Sequence, residues 1–74
     1  NDNDPEFDIV MMDPPYDSVD VSLIEQIAHR AKSTGIVIVS LPINVTLELT
    51  DSFELLSSKT YGSAKLVFYR RNIA

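Results

Sequence analysis

Apolar positions change their spacing along this 74-residue chain, and each change predicts an element. Phe7-Asp8-Ile9-Val10-Met11-Met12 is short and almost continuously apolar, the pattern of a strand buried on both faces in a parallel sheet. Pro14 and Pro15 stop it, because neither has an N–H to give to a ladder. The period then lengthens. Val19, Leu23, Ile27 and Ala31 recur every fourth residue, Ile24 and Ala28 widen the stripe, and Glu25, Gln26, His29, Arg30 and Lys32 fall opposite. This predicts an amphipathic helix capped by Asp20 or Ser22, with Ser22 and Glu25 spaced as a capping box. Lys32 and Gly35 are its expected stop signals.

Ile36-Val37-Ile38-Val39 places four β-branched residues in a row and predicts a second strand, closed by Pro42. Residues 43–51 carry no clear period and are expected to form a loop. Phe53 to Tyr61 and Ala64 to Arg70 then flank Gly62-Ser63 as a hairpin, within a segment spanning 52–71. Asn1 to Glu6 is polar and acidic and reads as a linker or a cut end. The predicted architecture is α/β: strand-helix-strand over 7–42, then an antiparallel hairpin, in a single partial domain over 1–74. Two strands buried on both faces need helices on both sides, and only one helix is available. The chain is therefore expected to belong to a larger domain, or to self-associate through an uncovered sheet face.

Composition narrows the classes. About 45% of residues are apolar and only two are glycine, which suits a folded segment. There are no cysteines, so disulfides and thiolate metal sites are excluded, and no metal site is expected. No stretch approaches the ~18 apolar residues of a membrane span, and no basic leader precedes an apolar run. A cytoplasmic location without membrane contact is the expectation. The net charge of −5 is unevenly placed. Asp2, Asp4, Glu6, Asp8, Asp13, Asp17 and Asp20 crowd the first 20 residues, whereas Lys59, Lys65, Arg70 and Arg71 follow Glu54 with no further acid. Phosphate contacts dominate nucleic-acid affinity, so any nucleic-acid partner must meet its main basic surface outside this segment.

The chemistry concentrates at residues 13–16. Asp13 sits just past the carboxyl end of a predicted parallel strand, where open α/β sheets place their ligands. Pro14 restricts Asp13 to extended geometry, and Pro15 does the same to Pro14. The corner offers acceptors only, the Asp13 carboxylate and the proline carbonyls, which suits an amino group with two hydrogens on one nitrogen. Tyr16 adds a flat face for a planar base.

Asp13-Pro14-Pro15-Tyr16 resembles the [DN]-P-P-[YFW] signature of S-adenosylmethionine-dependent methyltransferases that modify amino nitrogens. The tail Tyr61-Gly62-Ser63-Ala64-Lys65-Leu66-Val67-Phe68-Tyr69 is similar to the C-terminal hairpin of the bacterial guanine-N2 methyltransferase family of small-subunit (16S) ribosomal RNA. The resemblance runs from Phe7 to Arg71. It implies the C-terminal part of a Rossmann-like methyltransferase fold, lacking the N-terminal cofactor-binding half. Asp13 and the Pro14 carbonyl would accept the two hydrogens of the target amino group, Pro15 would shape the turn and Tyr16 would stack on the base. S-adenosylmethionine is the implied cofactor and a ribosomal RNA or small-subunit particle the implied partner. Its glycine-rich loop is absent, since the only glycines are Gly35 and Gly62, so the chain alone is expected to be inactive. Ser40 stands where the family commonly has an acid. A DNA adenine-N6 methyltransferase fragment and a non-catalytic module that keeps the fold are the competing classes.

Other residues have ordinary readings. His29 falls on the solvated helix face, Tyr61 and Tyr69 are expected in sheet packing, and Met11 and Met12 as core fillers. Asn44-Val45-Thr46 fits a glycosylation sequon by chance, and Arg70 and Arg71 fit a solvated strand end more readily than an RNA phosphate site.

Overall fold

A computed structural model describes residues 7–15 and 17–72. In chain order the elements are β1 (Phe7–Met12), α1 (Val21–Ala28), β2 (Ala31–Pro42), β3 (Phe53–Tyr61) and β4 (Ala64–Arg71). The sheet order is β1-β2-β4-β3. β1 and β2 run parallel with α1 between them in sequence, and β4 lies antiparallel to both β2 and β3. This is the predicted strand-helix-strand followed by a hairpin. At the hairpin turn Gly62 holds φ +59° and Ser63 does not follow it, the pattern of a II′ turn whose twist matches the strands. Residues 1–6, expected as a linker or cut end, lie outside the described residues.

The helix is shorter than its apolar period predicts. It stops at Ala28 with His29 as C-cap, so Ala31, Lys32 and Gly35 are not its last turn and stop signals but the start of β2. Tertiary contacts override helix propensity here. Ala31 is wholly buried in the sheet, and Arg71 donates from Nη1 to the carbonyls of both His29 and Ala31. Phe7 pairs with Ala31 and Ile9 with Ile36, so residues 32–35 bulge opposite Asp8 alone. Thr34 takes φ 66° within that bulge. Gly35 packs so tightly that a Cβ would lie 2.8 Å from the Lys32 carbonyl and 3.1 Å from that of Phe7. Lys32 pairs with Asp8 across the bulge. The Asp8 carboxylate, by hydrogen bond first and charge second, holds the Lys32 ammonium above its ordinary range.

Asp20 is the N-cap, its Oδ1 accepting from the Leu23 N–H at 3.2 Å. The anticipated capping box is not made. Glu25 Oε1 instead accepts from the Thr50 N–H at 3.0 Å and ties the helix to the loop between β2 and β3. Tyr69 pins the same loop from below, its hydroxyl donating to the Leu47 carbonyl at 3.0 Å.

The core lies on one side of the sheet. Val10 and Met12 of β1, Val37, Val39 and Leu41 of β2, and Val67 and Tyr69 of β4 are buried there beneath Ile24, Ala28 and Leu47. Full burial of a Val or Leu side chain contributes about 1.5–3 kcal/mol, and Val37, Val39 and Leu41 carry no exposure at all. The opposite face has no layer over it among the described residues. Ile9 is 61% and Met11 68% exposed, and Ile36, Ile38, Leu66 and Phe68 are half-buried. Met11 is therefore not the core filler its neighbour Met12 is. No described helix is long and apolar enough to cross a membrane.

Candidate functional site

β1 ends where its alternation runs out. Met12 points into the core beside Val39, its strand partner, and the chain then turns off the carboxyl end of the sheet at Asp13. Pro14 and Pro15 cannot extend the ladder. The Pro15 carbonyl accepts from the Ser18 N–H at 3.3 Å, closing a turn that delivers the chain to the Asp20 cap. Strand end, turn and helix start together enclose a cleft of about 230 Å³. Its walls are Met12, Asp13, Pro14, Pro15, Ser18 and Asp20, with Leu23, Ile24 and Ile27 of α1 opposite.

Three of the four predicted site residues meet in this cleft: Asp13 and Pro15 are exposed and Pro14 is half-buried. Tyr16 lies outside the described residues. The cleft's described polar groups are mostly acceptors. Three N–H groups beside it are already used: Ser18 on Pro15, Leu23 on the Asp20 carboxylate and Ile24 on the Asp20 carbonyl. Asp13, the Pro14 carbonyl and the second oxygen of Asp20 remain, together with the Ser18 hydroxyl. A ligand presenting hydrogens on nitrogen meets complementary groups here.

Sequence reasoning assigned Leu23 and Ile27 to the core stripe, yet they are 51% and 38% exposed and form the apolar wall of the cleft. The signal was present in the stripe's width, which exceeds what one sheet face can cover. Asp20 was named as a cap and not as part of the site. Ser40 is half-buried one residue past the Met12–Val39 pair and is engaged by a partner within the protein.

The cleft does not by itself fit S-adenosylmethionine. Sites for small molecules typically occupy roughly 300–1,000 Å³, and neither glycine of the chain lies in the cleft wall. Gly35 is packed between β1 and β2 at the far end of the sheet, and Gly62 forms the hairpin turn. The described residues present one wall of a site, the wall with acceptors.

This strand order, with an acidic diproline loop leaving the carboxyl end of a parallel strand, defines part of a methyltransferase-type α/β fold. The chain belongs to the family described as conserved hypothetical protein 95, whose model matches residues 1–70. Among solved structures it is similar to a Haemophilus influenzae protein described as a "putative methylase", with TM-score 0.76 and 26% identity, covering 96% of this chain and 46% of that one. A conserved hypothetical protein of Streptococcus pyogenes matches with TM-score 0.75 and 27% identity, over 92% of this chain and 45% of its own. An Escherichia coli protein described as a "putative methyltransferase" shares the fold at TM-score 0.73 and 16% identity, over 95% and 40% of the two chains. The chain thus spans less than half the length of these structures. No curated protein matches it closely enough to count as a relative.

Proposed function

We propose that this chain is the catalytic-loop half of an S-adenosylmethionine-dependent methyltransferase that modifies the exocyclic amino group of a guanine in ribosomal RNA, in the cytoplasm. The observation that carries the reading is the cleft at the end of β1, where Asp13 and Pro14 line one side and the apolar residues Leu23, Ile24 and Ile27 of α1 the other. Family membership and the likeness to a described methylase support it.

An amino nitrogen on a purine is a poor nucleophile because its lone pair is delocalised into the ring. Asp13 and the Pro14 carbonyl accept its two hydrogens and fix its orientation, and the carboxylate stabilises the positive charge that develops on nitrogen. Hydrogen bonds of a charged group, at roughly 1.5–3 kcal/mol each, have the size this requires. Leu23 and Ile27 exclude water beside the ring, and Tyr16 stacks on it. The base leaves its stack to enter, at a cost of a few kcal/mol. S-adenosylmethionine supplies the methyl group when bound, held by residues outside this chain, so the chain alone is inactive.

Asp13→Ala in the full-length protein is expected to lower turnover by about 10²-fold or more while cofactor affinity stays near wild type. Radiolabelled methyl transfer to small-subunit particles, set beside transfer to duplex DNA, measures both the residue and the substrate. Retained turnover refutes the role of Asp13, and transfer to duplex DNA alone replaces guanine in RNA with adenine in DNA.

A further inference from the structure

The hairpin does something at its tip that sheet packing does not require. Tyr61, expected in sheet packing, is 60% exposed at the last position of β3 and pairs with Ala64, a residue too small to cover it. Lys59 precedes it by two and so projects from the same face, and Lys65 faces the other side opposite Thr60. Neither lysine makes an ion pair among the described residues. The sequence from Leu55 onward contains no acid. An aromatic ring and two cations left unused at one turn are the combination that binds single-stranded nucleic acid, the ring by stacking on a base and the cations on phosphates.

Register places this tip beside the site. Met12, the end of β1, pairs with Val39, but β2 continues through Ser40, Leu41 and Pro42, which pair with Leu66, Lys65 and Ala64. At about 3.3 Å per residue the hairpin therefore overhangs the start of the Asp13 loop by roughly 10 Å. The Ile43 N–H donates to the Ser63 carbonyl at 2.9 Å and fixes the turn to the end of β2. Sideways, β4 and β3 stand two and three strands from β1, about 10 and 14 Å at ordinary strand spacing. Stacked nucleotides advance about 3.4 Å each, so a strand with its target base in the cleft reaches the overhang within about four or five nucleotides. The charges divide accordingly. Asp13 and Asp20 line the cleft, and Lys59 and Lys65 lie on the hairpin near its turn.

Building on the reading of the cleft as a base-binding site, we propose that the hairpin tip, with Lys59 and Tyr61 on one face and Lys65 on the other, is a ledge across which the RNA strand flanking the target nucleotide passes. The full-length protein is titrated onto a fluorescein-labelled single-stranded RNA of about 15 nucleotides containing guanine, at several salt concentrations. Tyr61→Ala is expected to weaken binding about fivefold or more, and Tyr61→Phe, which keeps the ring, to bind as wild type. Lys59→Ala/Lys65→Ala is expected to weaken binding and to flatten the slope of log affinity against log salt by about 1.4, the value for two single-strand phosphate contacts. Wild-type affinity and slope in the lysine variant overturn the proposal. So does a defect seen only on assembled ribosomal particles and not on naked RNA, because the ledge then meets protein. Asp13→Ala separates the two readings: it loses turnover without losing RNA affinity if the cleft is catalytic, whichever way the hairpin variants behave.

Discussion

Tyr69 shows how one hydroxyl fastens two layers. Its ring is buried in the core, and its O–H donates to the carbonyl of Leu47 in the loop above. Burial disfavours the phenolate and raises the Tyr69 pKa above its ordinary value of roughly 10. The sign follows directly. Between the unfolded and the raised folded pKa the folded state binds more protons than the unfolded one, so stability falls as pH climbs past about 10. At neutral pH both states are protonated and this effect is absent. Tyr69→Phe is expected to cost about 1 kcal/mol through the unpaired Leu47 carbonyl, and to remove part of the alkaline loss of stability. Urea unfolding at pH 7 and at alkaline pH measures both effects. Tyr61, the same residue type eight positions earlier, has no such duty, because it ends an edge strand with only Ala64 opposite. A pattern of aromatic residues in two strands could not distinguish them. Strand order does, and strand order is a property of long-range pairing.

At the scale of elements, α1 illustrates a segment whose length is decided by its surroundings. Eight residues make a marginal helix in isolation. It persists through Ile24 and Ala28 packed on the sheet, the Asp20 cap and the Glu25–Thr50 link. Asp20→Ala is expected to destabilise the chain by about 0.5–2 kcal/mol, and Asp20→Ser to restore most of it, as the midpoint of urea unfolding would report. β1, α1 and β2 were legible through their apolar period, prolines and β-branched run, and β3 and β4 through the Gly62-Ser63 turn between them. The end of the helix was not, since the apolar stripe continues unbroken through Ala31. Arg71, forty residues downstream, takes up the Ala31 carbonyl within the sheet. The turn at Asp13-Pro14-Pro15 was legible because the limits a proline sets on its neighbours are local. Its apolar wall was misread because Leu23 and Ile27 fit a core stripe equally well until the position of the sheet is known.

For the whole molecule, the sheet is finished on one side and open on the other. Ile9, Met11, Ile36, Ile38, Leu66 and Phe68 form a contiguous apolar surface by their register, with Met11 opposite Ile38 and Ile38 opposite Phe68. Large exposed patches of this kind mark interaction surfaces or aggregation liabilities. The isolated chain is expected to bind a hydrophobic dye and to sediment above its 8.3 kDa mass as concentration rises, with Met11→Glu reducing both. A dye-free monomer in sedimentation would show that the face is self-sufficient. The sheet has a further consequence, for the timing of folding during synthesis. β4 is the last strand in the chain, yet it stands between β2 and β3, which have no ladder with each other. While residues 64–71 are still inside the ribosome, β3 has no partner and β2 has only β1. The overhang beside the Asp13 loop therefore assembles only after residues 64–71 have emerged, although β1 and β2 can pair before then.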